Sequence, residues 1–202
     1  MGRVLLVRHG ESTANARRVW QGHADYPLSE RGRLEAEAAA RSVARAGVDA
    51  IWASPLQRAW ATAERIAAAT GHAIRVDDRL KEIDIGAASG LTHDEVVERF
   101  PERAVAMERG EPWAFPGQES PGQFSFRVFA VLDEMLALDA TITAVTHGGV
   151  IQRIAAGIIG IPAERVFPFS LSNGSITEVI RDARGRLVLH RLNDTCHIER
   201  PG

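Results

Sequence analysis

At three points in this chain of 202 residues, an imidazole or a guanidinium stands where an apolar run gives way to a turn or a helix. Arg8-His9 follows the run 4–7 directly. Arg58 lies four residues beyond Ser54, in the first turn of a segment with helical period. His147-Gly148-Gly149 follows "ITAVT". Each has an ordinary explanation when taken singly. A His-Gly after a strand is usually a turn, and an Arg in a helix's first turn is usually solvated and slightly opposes the dipole. Their common address is the stronger observation. If they follow strands of one parallel sheet, all lie outside the strands' carboxyl ends, where open α/β sheets bind ligands. Helix N-termini there offer unpaired N–H groups and a partial positive charge. Two arginines added to that field suit a dianion such as phosphate.

The elements that must supply this address can be read along the chain. Short apolar runs at 4–7, 50–53, 74–76, 142–145, 175–180 and 187–192 predict strands, and "RDARGR" between the last two, with Asp182 and Gly185, suits a turn. Leu56, Ala59, Ala63, Ile66 and Ala67 share one face of a helix over 56–70. Phe124, Val128, Val131, Met135 and Leu138 share one face of a second. Ser54-Pro55-Leu56-Gln57 and Ser120-Pro121-Gly122-Gln123 each offer an N-cap serine, a proline at the first helical position and a glutamine at the third. Gly71 is placed to stop the first helix. This alternation predicts a three-layer α/β/α sandwich, with a mostly parallel central sheet of about six strands and helices on both faces. Residues 80–117 break the pattern with several Gly and Pro and a short helical stretch near 94–109. They are expected to form a lid-like excursion or side wall within a single domain over 1–202.

Composition bounds the function. The chain is 45% hydrophobic and long enough for one substantial core. A net charge of −2, with no basic run interleaved with aromatics, argues against a nucleic-acid or membrane-surface partner. Lys81 is the lone lysine, and arginine is the better residue for bidentate anion contacts. Cys196 is the single cysteine, so a reducing compartment is the natural reading. With no spanning run and no signal-peptide pattern, a cytoplasmic protein is expected, with a homodimer as a reasonable prior. No H-E-x-x-H pair occurs and Cys196 has no cysteine partner, so His197 beside it reads as incidental and neither metal nor cofactor is expected. A P-loop, G-x-G-x-x-G and G-x-S-x-G are absent as well.

"LLVRHGESTAN" resembles the signature of the histidine phosphatase superfamily, which includes the cofactor-dependent phosphoglycerate mutases. "QGHADYPLSERG", "SPLQRAWATAE", "RLKEIDIG", "PGQES" and "VTHGGVI" resemble the family's later blocks, in order, over nearly the whole chain. "LNDTCHI" resembles a tail of the phosphatase branch. The resemblance implies that His9 attacks phosphorus to give a phosphohistidine. It implies that Arg8, Arg58 and His147 hold the phosphoryl oxygens, with Asn15 a further donor. Glu82 would protonate the leaving oxygen and then take a proton from water. Gln21 and Gly22 would line the pocket, as in phosphatase-like relatives.

The chemistry accounts for the residue types. A nucleophilic imidazole must be neutral, which an unperturbed pKa of roughly 6.5 permits near neutrality. A carboxyl that acts as an acid must instead be held protonated, by partial burial or a phosphate neighbour. Asp84 shares a face with Glu82 in an extended segment and is the rival donor; the resemblance favours Glu82. Trp113 and Phe115 are candidates for substrate contact from the side wall, and equally candidates for packing. Asp25, Pro27 and Leu28 are expected to fix a loop. Ala88 and Ser89 stand where the family often has a bulky aromatic and an acid, and Gln118 stands for a usual Gly. "RAVAMERGEPWAFPG" does not resemble the basic block with which mutases hold a substrate carboxylate. The expectation is a metal-independent phosphomonoesterase acting on small phosphorylated metabolites. A phosphoglycerate mutase stands second, and a non-catalytic phospho-ligand sensor third.

Overall fold

Strand β1 (Arg3–Arg8) occupies an interior position in a six-stranded sheet of order β3-β2-β4-β1-β5-β6. The structure is a computed structural model and describes residues 2–109, 111, 114–163 and 169–199. β2 (Ala50–Ala53), β3 (Ile74–Val76) and β4 (Thr141–Thr146) share the direction of β1. β5 (Ile176–Arg181) and β6 (Leu187–Asp194) form an antiparallel hairpin, joined to the sheet through β5 and β1.

The unbroken apolar run of β1 follows from burial on both faces. Val4 and Leu6 belong to a core cluster with α6 (Pro121–Ala137) and α7 (Gly148–Ile158). Leu5 and Val7 belong to a second cluster with α2 (Glu30–Ala46) and α3 (Gln57–Thr70). Each such side chain contributes roughly 1.5–3 kcal/mol when fully buried. A short helix α1 (Thr13–Ala16) follows β1, and another, α8 (Cys196–Glu199), follows β6.

Three expectations are corrected. Helix α2 is 17 residues long and has no counterpart among the expected helices. Its buried face is mostly alanine (Ala36, Ala39, Ala40, with Val43), too weak an apolar signal to stand out. Ser54 is not the N-cap of α3; the cap is Leu56, and it makes no side-chain cap bond. The Gln57 N–H donates instead to Asp25 Oδ1 at 2.8 Å, from a distant loop. Finally, the single stretch near 94–109 is two helices, α4 (His93–Arg99) and α5 (Pro101–Glu108). They part at Phe100, because the residue before a proline disfavours helical dihedrals. The Ser120–Gln123 capping box forms as expected, and Gly71 ends α3 in the left-handed conformation.

Between β3 and α6 the chain leaves the sheet. This excursion has its own small cluster of Ile85, Ala88, Val96 and Phe115, with Trp20 and Phe100 packed on it. Backbone bonds between Trp20 and residues Gly90 and Leu91 tie it to the loop before α2. Among the described residues, no helix is long and apolar enough to cross a membrane.

Candidate active site

His9 follows β1 and His147 follows β4, and the parallel pairing of these neighbours sets the two rings side by side. Their centroids are 5.1 Å apart, with the planes at 61°. Arg58, from the first turn of α3 after β2, joins them. All are deeply buried: His9 is 3% exposed, Arg58 1% and His147 0%.

The imidazole of His9 has a defined tautomer. Its Nδ1 lies 2.7 Å from the Gly10 carbonyl. A carbonyl can only accept, so Nδ1 carries the proton and the lone pair is at Nε2. Burial, then the Arg58 and Arg8 charges, hold the His9 pKa well below the ordinary 6.5, so the ring stays neutral. The Gly10 residue is itself fixed. Its N–H donates to Thr62 Oγ1 at 3.2 Å, and the Thr62 hydroxyl donates to the Arg58 carbonyl at 2.9 Å. Backbone packs directly on backbone here: a Cβ at Gly10 would stand 2.1 Å from the Gly32 carbonyl oxygen, and one at Gly32 would stand 1.9 Å from that of Glu11. On the other side the Gly174 N–H donates to the carbonyls of Arg8 and His9, and Asn173 Nδ2 donates to the His9 carbonyl at 3.2 Å.

The two guanidiniums are held by main-chain carbonyls. Arg58 donates through Nη1 to Ala24 O at 3.0 Å and through Nη2 to Gly22 O at 2.9 Å. Arg8 donates to Leu171 O, and its Nε lies 3.4 Å from where a Cβ would stand on Gly148, at the start of α7. His147 caps that helix by position, without a side-chain cap bond, and its Nε2 is 2.8 Å from Ser54 Oγ. Burial, then Arg58, His9 and Arg8, depress its pKa well below 6.5 too. Arg8 Nε, Arg58 Nε and His147 Nδ1 are buried without a hydrogen-bond partner among the described residues. A buried polar group left unpaired costs about 1–3 kcal/mol. Several in one site, two of them cationic donors, fit an anion.

Glu82 is half-buried beside them. Its Oε2 accepts the Gly149 N–H at 3.0 Å, in the first turn of α7, and its Oε1 accepts the Ile83 N–H at 2.9 Å. A Cβ on Gly149 would come within 2.3 Å of Oε1, so the carboxylate reaches the helix only because the residue is glycine. Asp84 is turned elsewhere: Oδ1 accepts the Gly86 N–H at 2.8 Å, and Oδ2 lies 3.6 Å from His23 Nδ1. Of the two rival carboxylates, Glu82 is the one at the α7 terminus that His147 caps.

The remaining expected residues divide. Asn15 uses Oδ1 to accept from the Ser12 N–H at 3.1 Å and from Asn173 Nδ2 at 3.3 Å, which leaves its amide N–H groups uncommitted among the described residues. Gln21 Oε1 is tied to Ser12 Oγ at 2.8 Å. Gly22, at φ +49°, takes part through its carbonyl on Arg58. Phe115 is 3% exposed and packs edge-on against Trp20 and Phe100, so its ring is committed to the excursion's core. Trp113 lies outside the described residues.

Ser54, Thr62, Asn173, His23 and Arg127 support the site and were not expected there as site residues. Ser54 carried a signal, though as a helix cap. His197, expected to be incidental, donates from Nε2 to the carbonyl of Gly174, at 2.9 Å, the residue whose N–H bonds the Arg8 and His9 carbonyls. Among the described residues no group of three or more His, Cys, Asp or Glu could hold a metal ion.

Comparison with known proteins places the chain in a family. Residues 4–195 match the histidine phosphatase superfamily (branch 1). Phosphoserine phosphatase 1 of Hydrogenobacter thermophilus is 33% identical over 201 residues, covering 98% of this chain and 95% of that one. A probable phosphoglycerate mutase of Yersinia pestis is 32% identical over 208 residues, covering 100% and 97%. Among solved structures, a mycobacterial glucosyl-3-phosphoglycerate phosphatase in complex with VO3 has a TM-score of 0.86 at 30% identity, covering 96% of this chain and all of that one.

Proposed function

We propose, for a chain that belongs to the histidine phosphatase superfamily and is a phosphoric monoester hydrolase, that His9 is the nucleophile and Glu82 the proton donor. The substrate's phosphoryl group lies against Arg8, Arg58 and His147, with the Asn15 amide as a further donor. The lone pair of His9 Nε2 forms a P–N bond as the ester P–O bond breaks, and the leaving oxygen takes the proton of Glu82. Water then attacks phosphorus, the P–N bond breaks, Glu82 takes the water's proton, and inorganic phosphate leaves. Most of the acceleration comes from charge and position, as phosphoryl transfer requires.

The observation that carries this reading is the His9 ring itself, neutral through burial and neighbouring cations, with Nδ1–H on the Gly10 carbonyl. The substrates are small phosphomonoesters. Relatives named for phosphoserine and glucosyl-3-phosphoglycerate make carboxylate-bearing esters the first to test. Hydrolysis is favoured over isomerisation because the excursion lacks the mutase-like basic block. Two of its arginines, Arg99 and Arg103, lie over the rings of Phe100 and Phe115. The reading includes a cytoplasmic enzyme and a dimer, the latter to be measured by light scattering.

Incubation with a labelled phosphomonoester, without added metal, is expected to yield an acid-labile phosphoenzyme in the wild type and none in His9→Ala. Release of phosphate is expected to exceed isomerisation of phosphoglycerate with bisphosphoglycerate present. A wild-type enzyme that isomerises faster than it hydrolyses is instead a mutase.

A further inference from the structure

The loop 22–24 holds both halves of the site. Its Gly22 and Ala24 carbonyls grip the Arg58 guanidinium, while between them the His23 side chain turns to Glu82. His23 Nε2 lies 2.8 Å from the Glu82 main-chain carbonyl. Since a carbonyl only accepts, Nε2 carries the proton. The ring's other nitrogen faces Asp84 Oδ2 at 3.6 Å, beyond hydrogen-bond length. This imidazole is 39% exposed, where a solvated side chain is the usual outcome, yet its Nε2 is committed to a main-chain carbonyl.

We infer that His23 is a positioning residue for the proton donor: by holding the Glu82 carbonyl it aims the Glu82 carboxyl and registers it against Arg58. The inference rests on the assignment of Glu82 as the donor. The Glu82 carbonyl and the Ile83 N–H belong to one planar unit and point in opposite directions. That N–H donates to Glu82 Oε1 at 2.9 Å. Turning the peptide therefore turns the carboxylate with it. Only one other described side chain donates to this carbonyl, Arg127 through Nη2 at 2.9 Å. Arg127 also binds the Arg79 and Lys81 carbonyls and both oxygens of Glu119, so it fixes the whole run 79–82 onto α6. His23 alone, among the described residues, joins that run by a side-chain bond to the loop that grips Arg58.

A misplaced donor has a signature that a loosened fold does not share. An aryl ester such as p-nitrophenyl phosphate expels a stable phenolate and needs little proton donation. An alkyl ester such as phosphoserine expels an alkoxide and needs it fully. The measurement is kcat/KM, which reports the steps up to the phosphoenzyme, for both esters with wild type, His23→Ala and His23→Gln. In His23→Ala the loss on phosphoserine is expected to exceed the loss on p-nitrophenyl phosphate by about tenfold or more, the scale of a donor displaced by part of an ångström. His23→Gln keeps an N–H donor and is expected to recover most of the difference. Equal losses on the two esters, no loss on either, or a Gln variant as impaired as Ala would each overturn the inference. A wild-type protein that releases phosphate from neither ester removes the underlying reading, and this inference with it.

Discussion

The two sides of the site are built differently. The side proposed to hold phosphate is the end of the core itself. His9, Arg58 and His147 are at most 3% exposed, and each is locked by main-chain carbonyls or a buried hydroxyl: Gly10 holds His9, Gly22 and Ala24 hold Arg58, and Ser54 holds His147. The side proposed for the leaving group centres on Glu82, at the start of the excursion; there His23, from the loop before α2, and Asp84 are 39% and 41% exposed, and the side chains of His23 and Arg127 hold the Glu82 main-chain carbonyl. Every phosphomonoester presents the same dianion, so the first side can be rigid. Esters differ in what lies beyond the bridging oxygen, so the second side is the one proposed to tell substrates apart.

The contrast can be broken by substitution. Arg58→Ala, on the rigid side, is expected to lower kcat/KM by about 10³, equally for aryl and alkyl esters, since each loses the same charge stabilisation. Arg58→Lys is expected to recover little, because a point charge cannot reach the Gly22 and Ala24 carbonyls and the substrate together. Glu82→Gln is expected to cost about 10² on an alkyl ester and far less on p-nitrophenyl phosphate. If it costs the same on both, the two sides are not separable and Glu82 is not the donor. Ser54→Ala removes the one hydroxyl on His147 Nε2 and is expected to cost about tenfold, the worth of one hydrogen bond.

The smallest effect is on pH. In the folded free enzyme both imidazoles have pKa values well below 6.5, so the acid limb of kcat/KM, corrected for substrate ionisation, is expected to lie below 6.5. Stability follows the same sign. Above pH 6.5 neither state protonates these rings. Below it the unfolded chain binds protons that the folded one refuses, so denaturant midpoints are expected to fall from 6.5 downward. His9→Asn is expected to weaken that dependence.

Much of this could be read along the chain, and the parts that could not have a common cause. The strands were legible because β1 and β4 are apolar on both faces, and the histidines after them because they share with Arg58 an address at the strands' carboxyl ends. Ser54 was misassigned as a cap because local spacing names a partner two or three residues away, while its hydroxyl meets an imidazole 93 residues on. The bond from His23 to Glu82 crosses 59 residues, and that from Arg127 crosses 45. Helix α2 was missed for another reason: alanine buries well against a sheet but barely registers as a periodic signal. Local chemistry was visible, and long-range partnership was not.

The seam where Gly10 meets Gly32 limits how this scaffold can be re-aimed. With no room for even a methyl group between the two backbones, a combinatorial library spanning positions 10 and 32 would return almost nothing but glycine. Directed evolution toward a new ester has to leave that seam alone and draw its diversity from the wall at 84–118.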